Sequence, residues 1–374
     1  MHLTIERSAF IKALAHVQSV VERRTTIPIL ANLMLKAEDG MLSLSATDLD
    51  IEIVEQVPAE IGTAGAATAP AHMLYDIIRK LPDGAQIDLN YSGDPGQLKI
   101  SAGRSQFQLG CLPVEDFPSL SSGGLPHRFV LDAAALASLV DRTRFAMSTE
   151  ETRYYLNGIY LHAKDTDSSE VRVMRAVATD GHRLAMVEMP LPEGAQDMPG
   201  IILPRKTVGE IRKLVEESEG DIAIEVGDTK ARFAFDNVVL TSKLIDGTFP
   251  DYERVIPDGA DKHLSVDAKS FADAVDRVST ISTERSRAVK LSIADQTMTI
   301  SATSAEQGSA TEEMEVGFDG EAMDIGFNAR YLMDVTQNLT GEGTQLSMSD
   351  ASSPTLIRDG DDESAVYVLM PMRV

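Results

Sequence analysis

The stretch ATDGHRLAM, residues 178–186, sets a carboxylate, a glycine, an imidazole and a guanidinium in direct succession. Asp180 could orient or activate His182 as a general base, the arrangement on which much acid and base catalysis rests. Such chemistry needs a nucleophile or a metal beside it. The chain has no nucleophile-elbow motif, no CxxC and no HExxH. Its one cysteine, Cys111 in FQLGCLP, cannot form an internal disulfide and reads as a small buried apolar group. A DG pair commonly marks a turn. The same element recurs as SATDLDIEI from Ser45 and SATSAEQGSA from Ser301, without the histidine or the arginine. It is therefore a repeated structural piece, and the middle copy alone is a candidate for binding.

The repetition extends to the elements that would position those residues. LTIERSAFIKALAHV from Leu3, FVLDAAALASLVDRT from Phe129 and LSVDAKSFADAVDRV from Leu264 each read as a short strand running into a helix. Phe10, Leu14 and Val17 form a helical stripe, matched by Leu136, Val140 and Thr143 and by Phe271, Val275 and Val278. Asp132 and Asp267 occupy equivalent N-cap positions. A second helix is predicted in each copy, at PAHMLYDIIRKL from Pro70, PRKTVGEIRKLV from Pro204 and NARYLMDVTQNL from Asn328. Alternating segments before and after it read as antiparallel strands, with EDG at 38–40 as the clearest turn. The fold class expected is α+β: three repeated domains, residues 1–125, 126–258 and 259–374, each with two helices on one side and antiparallel sheets on the other.

No apolar run approaches the roughly 18 residues of a membrane span, and MHLTIERSAF does not read as a signal peptide. A cytoplasmic protein is expected. Its 34 Lys and Arg against 58 Asp and Glu give a net charge of -24. The six helix segments together carry +6, which leaves -30 on strands and loops. Clusters such as Arg23 with Arg24, and Arg205 and Lys206 with Arg212 and Lys213, exceed what helix propensity alone predicts in so acidic a chain. If all helices share one side, that side would face a polyanion, while the acidic exterior repels nucleic acid elsewhere.

With these blocks in place, the chain resembles the bacterial DNA polymerase III beta subunit family, the sliding clamps. TIPILANLML, ATDLDIEI, RYYLNGIYL, ATDGHRLA, PRKTVGEI, SKLIDGTFPDYERVIP and the terminal YVLMPMRV carry the resemblance, in order and over the whole chain. It implies a head-to-tail homodimer closed into a ring of six domains around double-stranded DNA, helices inside and sheets outside, bound without sequence specificity. It implies no catalysis, no cofactor and no metal. The implied partners are the DNA polymerase III alpha subunit, the clamp loader, other polymerases and repair factors, each inserting a short peptide with a glutamine, leucines and an aromatic residue.

By the same resemblance, Leu156, Thr179, Gly181, His182, Arg183, Leu184, Pro250, Arg254 and Val255 line the peptide groove. Asn328, Tyr331, Val368, Met370, Pro371, Met372 and Arg373 complete it, with arginine supplying directional hydrogen bonds at the rim and methionine a surface that repacks. Arg24, Arg79, Arg153, Tyr154, Tyr155, Arg205 and Lys206 are the implied DNA-facing residues. Phe107 and Leu109 would meet Ile281 of the other subunit. The chain departs from the family pattern at Glu150, where glutamine is common, at Ser286, where an aromatic occurs, and at Thr280, where a larger apolar residue is frequent. Two other classes remain open at this point: a hydrolase or transferase centred on Asp180 and His182, and a repeat scaffold that binds only proteins.

Overall fold

The computed structural model describes residues 1–374 apart from 94–95, 121–122, 166–171, 283–286, 340 and 361. Ser286 lies outside the described residues. Six α-helices occur among the described residues, two per repeat: α1 Arg7–Gln18, α2 Ala71–Lys80, α3 Ala133–Arg144, α4 Arg205–Glu216, α5 Ala268–Ser279 and α6 Ala329–Thr336. The first helix of each repeat starts on an acidic cap. Glu6 accepts the N–H groups of Ser8 and Ala9, Asp132 that of Ala135, and Asp267 that of Ser270. All nine residues of the three helical stripes are buried. Each large apolar side chain among them contributes roughly 1.5–3 kcal/mol on burial. The EDG turn closes a two-residue hairpin with Glu38 opposite Met41. Cys111 departs from expectation: it is half-buried, and partial burial pushes its thiol pKa up, away from thiolate chemistry.

The chain divides into two compact units, and each takes strands from two consecutive repeats. The first comprises Met1–Ala137, Pro192–Pro199 and Lys206–Leu244. It holds a five-stranded sheet and an eight-stranded one. In the latter the strand Ile51–Pro58 of the first repeat pairs antiparallel with Val238–Lys243 of the second, Ile53 opposite Leu240. The second unit comprises Ser138–Leu191, Gly200–Arg205 and Ile245–Val374. Its nine-stranded sheet joins Arg183–Pro190 of the second repeat to Ala365–Leu369 of the third, Ala185 opposite Tyr367. A four-stranded sheet completes it, with Gly308–Glu315 at one edge. The corresponding edge of the five-stranded sheet in the first unit is Ser105–Gly110.

Within the first unit a polar cluster ties the two repeats together. His16 Nδ1 on α1 lies 2.7 Å from Glu55 Oε2, a carboxylate only 2% exposed, and Asn237 Nδ2 donates to the other oxygen at 3.1 Å. On the other side of the ring Nε2 lies 3.3 Å from Glu217 Oε1, off the line of a good hydrogen bond, and Lys12 binds the same carboxylate at 3.0 Å. The hydrogen bond to Glu55 raises the imidazole pKa, against the opposing effect of burial. A raised folded-state pKa means that the stabilisation is complete below the unfolded value of about 6.5 and is lost as pH rises through the folded value. The thermal midpoint of the wild type is therefore expected to fall as the pH climbs above neutrality. In His16→Gln that slope should flatten, which calorimetry across pH 6 to 9 would check.

Candidate functional site

The ATDGHR element is a turn whose polar side chains are occupied by its own backbone. Thr179 Oγ1 donates to Arg183 O at 2.7 Å and accepts the Gly181 N–H at 3.1 Å. Asp180 Oδ1 accepts the N–H groups of His182 at 2.9 Å and Arg183 at 3.0 Å, and Oδ2 takes the Arg183 Nε–H at 3.1 Å. The first repeat builds the same turn from Thr47, Asp48 and Ile51, with Leu49 at φ +80° where Gly181 stands at +88°. In the third, Ser304 Oγ alone accepts two backbone N–H groups. Asp180 thus spends both carboxylate oxygens on the turn and on Arg183, not on the His182 ring. That removes the acid–base pair on which the catalytic reading rested. No group of three or more His, Cys, Asp or Glu among the described residues could hold a metal.

What sets the middle copy apart is where its two basic residues go. His182 is exposed and its ring lies 6.3 Å from that of Tyr331 on α6. Arg183 is only 9% exposed. Its guanidinium binds Asp180, Asp334 of α6 and the Phe145 carbonyl, and stacks 4.3 Å from the Tyr331 ring centre and 5.3 Å from that of Phe145. Arg183 is therefore a buried strut between the second and third repeats, where a rim hydrogen-bond donor was expected. Arg254 and Arg373 are the exposed arginines of the set. Tyr331 is half-buried, and burial, followed by the Asp180 carboxylate, pushes its phenol pKa up. Asn328 caps α6 by accepting the Arg330 N–H. His182, Arg183, Arg330 and Tyr331 border an open cavity of about 330 Å³.

Next to this turn lies a continuous apolar floor. Leu156, Leu184 and Val368 are buried in one cluster with Val177, Met186, Ile202, Phe249, Tyr252, Leu356 and Val366. Arg254 and Val255 rise from the turn Tyr252–Val255, Pro250 precedes it, and all three are exposed. The tail is anchored twice: the Met370 N–H donates to His182 O at 2.9 Å and the Met372 N–H to Gly326 O at 2.7 Å. A Cβ at Gly326 would fall 2.4 Å from Val374 Cγ1, so only glycine admits the tail there. Met370 is exposed, with Pro371 and Met372 half-buried. The expected groove residues are thus brought together within one unit, although three of them form the floor beneath the surface.

Most of the expected DNA-facing cations are already engaged. Arg205 Nη2 donates to the carbonyls of Met147 and Ser148, and Lys206 Nζ binds Val20 O and the Asp48 carboxylate. Arg153 pairs with Glu150 at 2.9 Å and lies across the Cα of Gly181. Arg79 pairs with Asp76 and covers the Tyr75 ring. Arg24 and Tyr154 are exposed, and Tyr155 packs on the apolar cluster. Phe107 and Ile281 are half-buried and Leu109 is buried. Sequence reasoning missed Phe145, Asp334, Tyr252 and Gly326. For Tyr252 the spacing of Phe249 and Tyr252 in FPDY marks one apolar face of a helical turn. Nothing in the sequence distinguishes Gly326 from a turn glycine.

Arg183→Lys keeps the charge but not the planar fork that reaches three acceptors. It should destabilise the second unit by about 3 kcal/mol, the order expected for breaking a buried pair, measurable as a fall in the urea midpoint.

Three domain models match the chain in order: DNA polymerase III beta subunit, N-terminal domain, over residues 1–121; central domain, over 130–251; and C-terminal domain, over 253–373. The beta sliding clamp of Caulobacter vibrioides is 54% identical over 374 residues, covering 100% of each chain. A solved Caulobacter crescentus beta sliding clamp with polyethylene glycol bound matches at TM-score 0.98 and 54% identity, over 100% of this chain and 99% of that one. A Bartonella birtlesii sliding clamp, DNA polymerase III subunit beta, bound to griselimycin matches at TM-score 0.96 and 51% identity over 100% of both chains.

Proposed function

The chain belongs to the bacterial DNA polymerase III beta subunit family, the beta sliding clamps, and on that premise we propose which of its surfaces hold partners, close the ring and face DNA. It is a non-catalytic processivity subunit, a dimeric ring around DNA that docks the polymerase and other factors through a peptide groove. We assign the three clamp domains to residues 1–125, 126–258 and 259–374, and its place of work to the cytoplasm, at the nucleoid. No helix among the described residues is long and apolar enough to cross a membrane.

The partner groove is the apolar floor of Leu156, Leu184 and Val368, between the turn from Thr179 to Arg183 with Asn328 and Tyr331, the Pro250–Val255 segment and the tail. An apolar peptide anchor placed there is surrounded by exposed Val255 and Met370, side chains that supply area without fixing one geometry. Deleting Met370–Val374 removes one wall and is expected to abolish binding of a labelled partner peptide in fluorescence anisotropy. Gel filtration should still show the dimer, because the tail joins the four-stranded sheet at Gly326, on the edge opposite to Gly308–Glu315.

The observation that carries the ring reading is the identity of the two internal junctions. In each copy of the repeated turn the alanine Ala46, Ala178 or Ala302 stands opposite Ile53, Ala185 or Ala310. In each outer hairpin Phe233, Ile357 or Ile100 stands opposite Leu240, Tyr367 or Phe107. The first junction pairs Ile53 with Leu240 and the second Ala185 with Tyr367, so both use one register. The strands that remain, Gly308–Glu315 and Ser105–Gly110, are both sheet edges. Repeating the register between copies sets Ala310 opposite Phe107, Ser309 opposite Gln108, and Glu313 opposite Arg104, which are complementary in charge. Leu109 and Ile281 would close the apolar side of this joint. The pair Ser309→Cys with Gln108→Cys, made in a Cys111→Ser background, should oxidise to a closed covalent ring. Thr311→Cys with Gln108→Cys should not, and denaturing gel electrophoresis separates the outcomes.

DNA passes the helices that carry Arg79, Arg205 and Lys206, with Arg24 in the turn after the first helix and Arg153, Tyr154 and Tyr155 beside them. Their contacts with phosphate supply attraction that is independent of sequence and weakened by salt.

A further inference from the structure

Behind the Phe249–Val255 segment lies a polar unit found only in the middle repeat. His162 and Arg175 stand directly opposite each other on neighbouring strands. Their counterparts are Lys36 and Ser43 in the first repeat and Ser292 and Thr299 in the third. The Tyr252 hydroxyl lies between the two, on a side chain that is 6% exposed.

The direction of each bond is fixed by chemistry. His162 Nδ1 faces the Ala163 carbonyl at 3.1 Å, and a carbonyl only accepts, so the ring proton sits on Nδ1. Nε2 is then an acceptor and takes the Tyr252 O–H at 2.9 Å. The Tyr252 oxygen in turn accepts the Arg175 Nη1–H at 3.1 Å. Burial, aided by the charges of Arg175 and Lys164 and opposed by the Ala163 carbonyl and Glu253, lowers the His162 pKa and keeps the ring in this neutral form. Arg175 also binds Glu188 and Glu253, and Lys164 binds Glu253 from the other side at 3.0 Å. Tyr160 stacks between His162 and Phe249, with ring centres 4.6 and 4.8 Å away.

Phe249, Tyr252 and Glu253 are therefore held from behind, while Pro250, Arg254 and Val255, interleaved with them, project outward. Apolar packing alone leaves such a segment free to slide along its floor. Two directional bonds to one hydroxyl do not. Because the unit occurs only in the repeat that carries the groove, it serves the groove rather than the common fold.

We propose that His162, Arg175 and Tyr252 are positioning residues for peptide docking, holding Pro250, Arg254 and Val255 at the height where they form one wall of the groove. The proposal rests on the reading of those three residues as groove residues. The test uses full-length dimer and a labelled peptide with a glutamine, leucines and an aromatic residue. Tyr252→Phe keeps the ring and removes both bonds, and should weaken the peptide about fivefold, the scale of one net hydrogen bond. Arg175→Met should do the same, and Arg175→Lys, which still donates, should recover part of the loss. Tyr252→Phe combined with Val255→Ala should cost less than the product of the single effects, since both act on one wall, whereas Tyr252→Phe with Met370→Ala should multiply. A merely structural role would lower the melting temperature without that coupling. If Val255→Ala weakens the peptide while Tyr252→Phe and Arg175→Met stay within twofold of wild type, the positioning role is wrong. If Val255→Ala and Arg254→Ala also leave affinity unchanged, the wall assignment falls and takes this proposal with it.

Discussion

Antiparallel pairing across the repeat boundary is the interaction on which the rest of the structure depends. A repeat that kept its sheets to itself would leave two exposed edges of unpaired N–H and C=O groups. Here the strand Ile51–Pro58 is covered by Val238–Lys243, and Arg183–Pro190 by Ala365–Leu369. The backbone is thereby satisfied across each boundary, and the compact units straddle the repeats that sequence similarity defines. Two strands of the same kind have no such cover within one chain. The demand that satisfied the internal boundaries is the one that, in the ring closure we propose, a second copy meets.

That arrangement also explains how one turn serves two purposes. Thr179 and Asp180 close a tight reversal between two strands, as Thr47 and Asp48 do in the first repeat. Position 183 then begins the strand at the boundary and faces whatever the next repeat supplies. In the first repeat this is Ile51, opposite Ser242. In the second it is an arginine that reaches Asp334 and Phe145 and locks the boundary beside the groove we propose. The conspicuous polar residues of ATDGHR are thus mostly architecture, and His182 is the one left facing outward.

Local and repeated features were legible in the sequence. The helices, their acidic caps and their apolar stripes follow from period and cap chemistry, which act within a few residues. The three-fold repeat was legible because it is written three times. Less visible was where long polar side chains end. Arg183 and Arg205 look like surface cations in the sequence, yet one is buried among acceptors and the other spends its donors on the carbonyls of Met147 and Ser148. Apart from Asp180, those acceptors lie 38 or more residues away along the chain, and a carbonyl carries no signature of its own in the sequence. Cys111 looked like core because its neighbours are apolar, but it follows the edge strand and is only half covered.

With the DNA-facing residues placed as we propose, the same engagement bears on how a chain of net charge -24 can live around DNA. Lys206 shares its charge with Asp48, Arg153 with Glu150 and Arg79 with Asp76. Each cation is thereby held in place and partly neutralised, so its field at a phosphate a few ångströms away is weakened. A lining of free lysines would release many counterions on contact and bind in fixed positions. A lining of half-compensated cations in an acidic body attracts the duplex weakly and nearly evenly along its axis, with no deep well at any one register. Retention on DNA then comes from closure of the ring, not from the strength of contact. That division leaves the choice of partner to the groove while the lining lets the duplex move.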